Sequence, residues 1–445
     1  MTAELCLSAL DLEKLRGSLL SSKEERCAIL YATESRRSNG QLRLLVCGIE
    51  FPAPGDYLRQ GLKEAELTPA FVAHIAKKAK LERLALVFVH THPGEQAPLF
   101  SSIDDRGEDI LDQFLDRRGV DRYHVALVMS AGGLRARRLG RDEEMRVISL
   151  GAKRVVEFDP NLDTIEYSEI FDRQVRAFGA AGQRRLERLR VAIVGLGGTG
   201  SIAAQQLVHL GVKQFILVDH DFVEETNLNR IVGATPSDIG KTKVEVAARY
   251  LEAFRIGVSA DQIVSSVVHA STAHQLIDAD IIFCCTDSHG SRSVIQQVAY
   301  QHLIPCIDVG STITQMEGNI TGIFGRVQLL SPSLPCLWCC ELLDSTEVRR
   351  DMMSESERRL DPYIVGAHEP APAVISLNGT VVSLGISMLL GIVAGVPVSG
   401  THLIYNALKA SIRSVRGTPQ PNCFICSENG ALAKGDSKPL LVRQD

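Results

Sequence analysis

Two different alternations of apolar and polar residues divide the chain. In about the first 150 residues, short apolar runs alternate irregularly with amphipathic segments, which predicts a mixed α+β domain. We expect helices at 8–20 and 68–83, and strands at 27–32, 43–51, 84–90, 123–130 and 134–140.

The second alternation begins near residue 190 and is regular. Apolar runs of four to six residues are followed by helical segments, at 190–195, 199–211, 214–219, 241–254, 279–287, 291–302 and 304–310. Strands that alternate with helices are typical of a doubly wound parallel sheet, so the fold class is α/β with two domains. The predicted boundaries are an N-terminal α+β domain over 1–150, a connector over 151–168, a Rossmann-like domain over 169–430 and a loose tail over 431–445.

Composition and charge exclude several classes of protein. The 445 residues carry a net charge of −5, so we expect no nucleic-acid partner. The apolar run 381–398 is close to membrane-helix length, but its Gly and Ser residues favour a buried core helix over a membrane span. The start has no signal-peptide pattern, so the eleven cysteines are expected as thiols or metal ligands in a cytoplasmic protein.

The stretch HTHPGEQAPLFSSID, residues 90–104, contains candidate metal ligands. His90 and His92 stand two apart at the end of an apolar strand, so both imidazoles leave the same face. Asp104 follows a loop at the start of a helix. Two histidines, a carboxylate and a water make the open tetrahedral zinc site of a hydrolase.

This pattern resembles the JAMM (JAB/MPN) metallopeptidase motif, H-x-H-P followed by S-x-x-D. The resemblance implies a peptidase or isopeptidase that cuts after the C-terminal glycine of a β-grasp protein. It also implies a glutamate as general base, which the similar segment EERCAIL places at Glu25, and an oxyanion-supporting serine, Ser101.

Other assignments stay open in this motif. The gap after His92 is one residue longer than usual, so Ser102 and Asp105 are an alternative register, and Glu24 or Glu50 could be the base. The same residues could also be strand-end histidines beside a helix N-cap, in a metal-free scaffold that recruits a partner.

A glycine-rich loop, VAIVGLGGTGS, lies between a predicted strand and helix and contains Gly195, Gly197, Gly198 and Gly200. Glycines let backbone N–H groups approach a phosphate at a helix N-terminus. Asp219 ends the next strand, where a carboxylate can bind ribose. These features alone fit an NAD-dependent oxidoreductase equally well.

The polar residues that follow favour ATP. They are Asp221, Asn227, Arg230, Lys243 and Asp287. A dinucleotide fold has no need of a cation pair and an acidic group beside the loop, whereas Arg230 and Lys243 can offset triphosphate charge and Asp287 can hold Mg²⁺.

From about residue 173 to residue 426 the chain resembles the adenylation domain of the ubiquitin-activating superfamily, the MoeB/ThiF/HesA group. The resemblance implies adenylation of the C-terminal glycine carboxylate of a ubiquitin-like β-grasp protein. It also implies a homodimer in which a leading helix supplies an arginine to the ATP site of the second subunit. That role falls on Arg173, which could instead be a solvated helix charge.

Two C-x-x-C pairs, Cys336 with Cys339 and Cys423 with Cys426, predict a four-thiolate structural zinc site, with redox-active pairs as the weaker interpretation. The expected crossover loop, 341–374, contains no cysteine to carry a thioester, and only Cys340 lies nearby. Two pathways therefore remain for the adenylate: ubiquitin-like activation with handover to a conjugating enzyme, or thiocarboxylate formation on a sulfur carrier. An attached peptidase would trim or release the same β-grasp protein.

Overall fold

The computed structural model describes residues 3–161, 168–254, 257–354, 357 and 372–443. It divides the chain into two compact units. The N-terminal unit comprises Met1–Thr164, Gln301–Leu303 and Ala431–Pro439, and the C-terminal unit comprises Ile165–Tyr300, Ile304–Gly430 and Leu440–Asp445.

The N-terminal unit is built on a mixed sheet of eight strands. The strands of the unit are β1 (Glu4–Ser8), β2 (Cys27–Arg36), β3 (Leu42–Glu50), β4 (Tyr57–Gln60), β5 (Ala65–Leu67), β6 (Ala85–Thr91), β7 (Val125–Ser130), β8 (Gly133–Arg138), β9 (Arg146–Leu150) and β10 (Arg154–Phe158). The order in the large sheet is β10-β9-β1-β3-β2-β6-β7-β8, while β4 and β5 form a separate hairpin.

Three helices cover the two faces of this sheet: α1 (Ala9–Leu19), α2 (Pro69–Glu82) and α3 (Ser102–Arg117). Leu12 and Leu15 of α1 lie in one buried cluster. Phe71 and Ile75 of α2 lie in another, with Leu115 of α3. The two clusters take alternate residues of the same strands, as a sheet covered on both faces requires. The expected strands and helices of the first 150 residues correspond to β2, β3, β6, β7, β8, α1 and α2.

The predicted connector and tail both differ from the structure. Within 151–168, the segment Arg154–Phe158 is strand β10, which pairs antiparallel with β9; alternation over only five residues is a weak signal. Residues 431–439 pack on the N-terminal unit instead of forming a loose tail. Thr33 Oγ1 donates to the carbonyl of Ala433 (2.7 Å), and the Arg36 N–H donates to Asp436 Oδ2 (3.0 Å).

The C-terminal unit contains a second eight-stranded sheet. Its strands are β11 (Arg190–Val194), β12 (Gln214–Val218), β13 (Ser259–Ile263), β14 (Ile281–Cys284), β15 (Cys306–Met316), β16 (Asn319–Leu330), β17 (His402–Asn406) and β18 (Ser411–Ser414). Its helices are α4 (Asp172–Glu187), α5 (Gly198–His209), α6 (Lys243–Ala253), α7 (Ala270–Gln275), α8 (His289–Gln301), α9 (Ser345–Met352) and α10 (Ile375–Leu389).

The strand order is β13-β12-β11-β14-β15-β16-β17-β18. Strands β11 to β15 pair in parallel, which confirms the predicted doubly wound sheet, and β16 to β18 extend it in antiparallel fashion. The chain leaves β11 for β12 on one side and later returns to β14 on the other. The carboxyl ends of β11 and β14 therefore form the topological switch point, where α/β sheets bind ligands.

Helix α10 carries the long apolar run. With the π-helical turn that follows, it forms a 20-residue segment, Ile375–Ala394, that is long and apolar enough to cross a membrane by length and composition alone. An 18-residue window of this segment has a mean hydropathy of 1.9, and 67% of that window is buried. Gly385 lies against Ile307, Val309 and Val327 of the sheet, so the run forms the core helix that its glycines and serines predict.

Candidate functional site

The glycine-rich loop lies at the switch point, between β11 and α5. Gly195 has φ +87°, and a Cβ there would lie 2.8 Å from the Cys285 carbonyl. A Cβ on Gly200 would overlap the Gly195 carbonyl, so both positions require glycine. Gly197 and Gly198 are the N-cap and first residue of α5, whose free N–H groups make an anion site when a phosphate is brought to them.

Asp219 holds this loop in shape. Its Oδ2 accepts from the Leu196 N–H (2.6 Å), and its Oδ1 accepts from the Asp221 N–H (2.9 Å). The carboxylate thus fastens the end of β12 to the glycine loop, and ribose binding by Asp219 stays a prediction.

A lysine and an arginine flank the loop. Lys243, the first residue of α6, donates to Asp221 Oδ2 (2.7 Å). Burial would raise the pKa of Asp221, but the hydrogen bond and charge of Lys243 hold it below its ordinary value. The side chain of Arg230 runs beside Gly198, since a Cβ on that glycine would lie 3.3 Å from Arg230 Cδ, and its Nη1 donates to the Thr226 carbonyl (2.6 Å).

Asn227 and Asp287 take different positions. Asn227 is buried, and its Oδ1 accepts from the Glu224 N–H (3.3 Å), so it shapes the loop that precedes Arg230. Asp287 is exposed just beyond the carboxyl end of β14, where a metal ion could reach it. Burial would lower the pKa of Arg292, but the negative charges of Asp308 and Asp287 raise it.

Arg173 is exposed on the first turn of α4, a helix that kinks at Phe178 and Gly179. The contribution of Arg173 to the ATP site of a second subunit stays a prediction. In the expected crossover loop, residues 355–356 and 358–371 lie outside the described part of the chain. Cys340, one residue before that loop, lies in the described part of the chain, and its Sγ accepts from Gln328 Nε2 (3.4 Å).

Four cysteines converge in the C-terminal unit. The Sγ atoms of Cys336 and Cys423 lie 3.5 Å apart, as do those of Cys339 and Cys426, and all four sulfurs fall within 4.8 Å of one another. Zinc bonded to four thiolates at ~2.3 Å separates the sulfurs by about 3.8 Å, so this donor set fits zinc.

The pKa values within this set shift in opposite directions: the hydrogen bond with Cys426 raises the pKa of Cys336, and burial raises that of Cys339 to about 11. Hydrogen bonds from Cys336 and the other two thiols lower the pKa of Cys426 to about 5. Backbone N–H groups of Gln420 and Ile425 point at the sulfurs of Cys339 (3.3 Å) and Cys423 (3.4 Å). Such donors stabilise thiolate charge around a metal.

A second donor set lies in the N-terminal unit. His90 Nε2 is 3.2 Å from Asp104 Oδ1, His92 Nε2 is 3.5 Å from Asp104 Oδ2, and the two Nε2 atoms are 3.3 Å apart. Donors bonded tetrahedrally to zinc at ~2.0 Å would be about 3.3 Å apart, so three donors fit and a fourth position stays open. Burial would raise the pKa of Asp104, but hydrogen bonds from His90 and His92 hold it well below its usual range.

Glu25 and Ser101 lie at this set. Glu25 precedes β2 and is buried; burial raises the pKa of its carboxyl, against the lowering charges of His92 and His90. Ser101 is the N-cap of α3, and its Oγ accepts from the N–H groups of Ile103 and Asp104 (both 3.3 Å). Neither bond uses the hydroxyl proton of Ser101.

The alternative residues of the motif have other contacts. Asp105 pairs with Arg137 (2.7 Å), and Ser102 is the first residue of α3, one position beyond its cap. Glu50 accepts from the Tyr31 hydroxyl (2.6 Å) and lies 3.3 Å from His74. Glu24 is exposed in the turn before Glu25.

Sequence reasoning missed one residue at the glycine loop, Asn378 of α10. A Cβ on Gly198 would overlap the Asn378 amide nitrogen. The only signal in the sequence is a single amide inside an apolar run, VISLNGTVV, which fixes no contact with a loop some 180 residues away.

Comparisons with known proteins concern the C-terminal part of the chain. The sequence model of the ThiF family matches residues 171–425. The SAMP-activating enzyme E1 of Haloferax volcanii is 28% identical over 255 residues, which cover 57% of this chain and 85% of that protein. The molybdopterin-synthase adenylyltransferase of Escherichia coli is 29% identical over 261 residues, 58% of this chain and 96% of that protein. The sulfur carrier protein adenylyltransferase of Thermus thermophilus is 29% identical over 250 residues, 56% and 86% respectively.

Proposed function

Because this chain belongs to the ThiF family, we propose that its C-terminal unit is an adenylyltransferase that activates the C-terminal glycine carboxylate of a ubiquitin-like β-grasp protein with ATP. The observation that carries the proposal is the cluster at the switch point. There the start of α5, Arg230 and Lys243 offer donors and positive charge, and the exposed Asp287 follows the carboxyl end of β14.

Each of these groups has a part in the reaction. The N–H groups of α5, Arg230 and Lys243 would bind the triphosphate, and Asp287 would hold Mg²⁺ that neutralises it. A carboxylate oxygen of the partner then bonds to the α-phosphorus, and the bond from that phosphorus to pyrophosphate breaks. Lys243 is paired with Asp221 in this structure, so ATP binding must draw its ammonium toward the phosphates.

The nature of the partner rests on the relatives. Their names refer to a molybdopterin synthase and a sulfur carrier protein, and to SAMP activation. We therefore keep two outcomes for the adenylate: conversion to a thiocarboxylate, or transfer into a conjugation pathway. A mass increase of about 16 Da on the partner identifies the thiocarboxylate, in which one oxygen is replaced by sulfur.

ATP–pyrophosphate exchange tests the adenylation. With glycine-terminated β-grasp proteins as substrates, wild type should support exchange that depends on the terminal glycine, and Asp287→Ala should reduce it at least about a hundredfold. Asp261→Ala is the matched control, since Asp261 is an exposed residue of β13 that pairs with Arg190 at the amino end of β11. Equal exchange in both variants would contradict the role of Asp287, and no exchange with any candidate would contradict the substrate.

A second activity is favoured by the donor set of the N-terminal unit. We propose a zinc peptidase in which His90, His92 and Asp104 hold the metal and Glu25 is the general base. Bound zinc would activate water, Glu25 would accept its proton, and the Ser101 hydroxyl would donate to the oxyanion. Cutting a β-grasp precursor after its terminal glycine would expose the carboxylate that the C-terminal unit adenylates.

Cleavage of a β-grasp protein with a short C-terminal extension tests this second activity. Glu25→Gln should lower the rate about 10²- to 10⁴-fold with zinc retained, while the neighbouring Glu24→Gln should leave it unchanged. Loss of the metal in Glu25→Gln would mean that Glu25 shapes the site and is no base. Equal rates in both variants would contradict the assignment.

A further inference from the structure

Asn378 is a buried residue in the first turn of α10. Among the residues that the structure describes, the oxygen of its side-chain amide is hydrogen-bonded, and the NH₂ group is not. The residue is 3% exposed. Its Oδ1 accepts from the Ser311 hydroxyl of β15 (2.9 Å), which turns the NH₂ group away from the strand. Within the described residues, that NH₂ group makes no hydrogen bond.

The free NH₂ group faces the glycine loop. It lies so close to the Cα of Gly198 that a Cβ on that glycine would overlap Nδ2. The same Cβ would lie 3.3 Å from Cδ of Arg230. Three groups therefore meet at this point: the first residue of α5, the arginine stem and the Asn378 amide.

The start of α10 adds to the positive potential here. Helix α10 is 15 residues long, and its N-cap, Val374, has no side chain that accepts from the first turn. Free N–H groups and the helix dipole make that end attractive to negative charge, as at the start of α5. The Asn378 NH₂ group beside this end has no acceptor among the described residues, so it is available to a bound oxygen.

We propose that Asn378 binds an oxyanion in the adenylation site, with its NH₂ group donating to an oxygen held against the start of α5. This proposal rests on the adenylation proposed above. Two sources supply such an oxygen: a phosphate of ATP and the carboxylate that attacks it. An amide suits either, because its N–H groups donate to an oxyanion and, without a net charge, reduce the nucleophilicity of a carboxylate less than a cation would.

The affinity for ATP separates the two sources. Asn378→Asp keeps the shape of the side chain but replaces the donor with a negative charge, and Asn378→Leu keeps its approximate size without donors. If the oxygen belongs to ATP, both variants should weaken ATP binding, Asn378→Leu about ten- to a hundredfold and Asn378→Asp more. Isothermal titration of the full chain with MgATP measures this directly.

If the oxygen belongs to the carboxylate, ATP affinity stays near wild type. The exchange reaction with the glycine-terminated β-grasp proteins should then show a lower kcat and a higher KM for the protein substrate. Thr380→Ala, on an exposed position of the same helix, is the matched control. Thermal unfolding of every variant excludes those that fail to fold.

Unchanged ATP affinity together with unchanged exchange in folded Asn378→Asp and Asn378→Leu would overturn the proposal. Normal function in Asn378→Leu alone would also overturn it, because the residue would then only fill space. If wild type binds ATP but catalyses no exchange, the adenylation proposal fails and the titration decides alone. Weaker ATP binding in both variants would then still support oxyanion binding by Asn378. ATP binding equal to that of wild type would overturn the proposal.

Discussion

The two candidate metal sites of this chain use different donors for different purposes. In the C-terminal unit, four sulfurs surround one point, and backbone N–H groups support them. In the N-terminal unit, two imidazoles and one carboxylate leave the fourth position open beside Glu25. A closed set can only stabilise a fold, whereas an open set can bind water or substrate. We therefore expect the four-sulfur set to act as a structural site and the three-donor set as a site suited to chemistry.

The largest expected effect is the loss of the four-thiol site. Cys336→Ser removes one of four thiolates, and the remaining three are left crowded without full coordination. We expect the zinc content to fall by one per chain and the C-terminal unit to lose more than about 4 kcal/mol of stability. Metal analysis and calorimetric unfolding measure the two effects, with Cys340→Ser as the control, since Cys340 stands beside the set without belonging to it. Normal unfolding of a zinc-free Cys336→Ser protein would contradict a structural role.

Loss of the open site should affect catalysis and spare the fold. His90→Ala should remove a second zinc and lower cleavage of a β-grasp precursor at least about 10³-fold, because the metal supplies the activated water. Unfolding should change little, since the imidazole is partly exposed at a strand end. His74→Ala, an exposed histidine of α2, is the control. One zinc per wild-type chain, lost in Cys336→Ser but not in His90→Ala, would instead make the N-terminal unit a metal-free scaffold.

A milder test compares the two sites by pH. The hydrogen bond to Asp104 raises the pKa of His92 above its ordinary value of about 6.5. A raised pKa favours the protonated imidazole. As acid is added, protons should therefore begin to displace zinc from His92 at a pH above about 6.5. In the thiol set the pKa of Cys426 is lowered to about 5 while those of Cys336 and Cys339 are raised. The expected difference therefore rests on four thiolates holding the metal there against three donors in the open site. Stepwise dialysis should release zinc from the open site at higher pH than from the thiol site, and the reverse order would contradict the comparison.

The smallest effect distinguishes the two registers of the serine motif. Ser101→Ala removes an N-cap worth about 1 kcal/mol and the hydroxyl donor, so cleavage should fall about tenfold or more. Ser102→Ala should change neither stability nor rate appreciably. Cleavage assays on both variants decide the matter, and a larger loss in Ser102→Ala would select the alternative register.

Local spacing explains which features could be predicted from the sequence. His90 and His92 share one strand, Asp104 opens the next helix, and each C-x-x-C pair occupies a single turn, so these donors converge through short-range geometry. The contact of Asn378 with Gly198 joins the starts of two helices far apart in the chain, and no periodicity encodes it. The strands β16 to β18 were also missed, because glycines and polar residues interrupt their alternation.

The segment 431–439 has a consequence for the order in which the protein forms. Thr33 and Ala433 are bonded across 400 positions of sequence, so strand β2 receives this neighbour only after some 400 further residues have been synthesised. Until then the nascent N-terminal unit carries an uncovered surface at Thr33 and Arg36. Closing so long a loop costs little more entropy than closing one half its length, about 0.6 kcal/mol. The delay is therefore a matter of timing, because the unit that contains β2 is completed only after the strands and helices of the C-terminal unit have been synthesised.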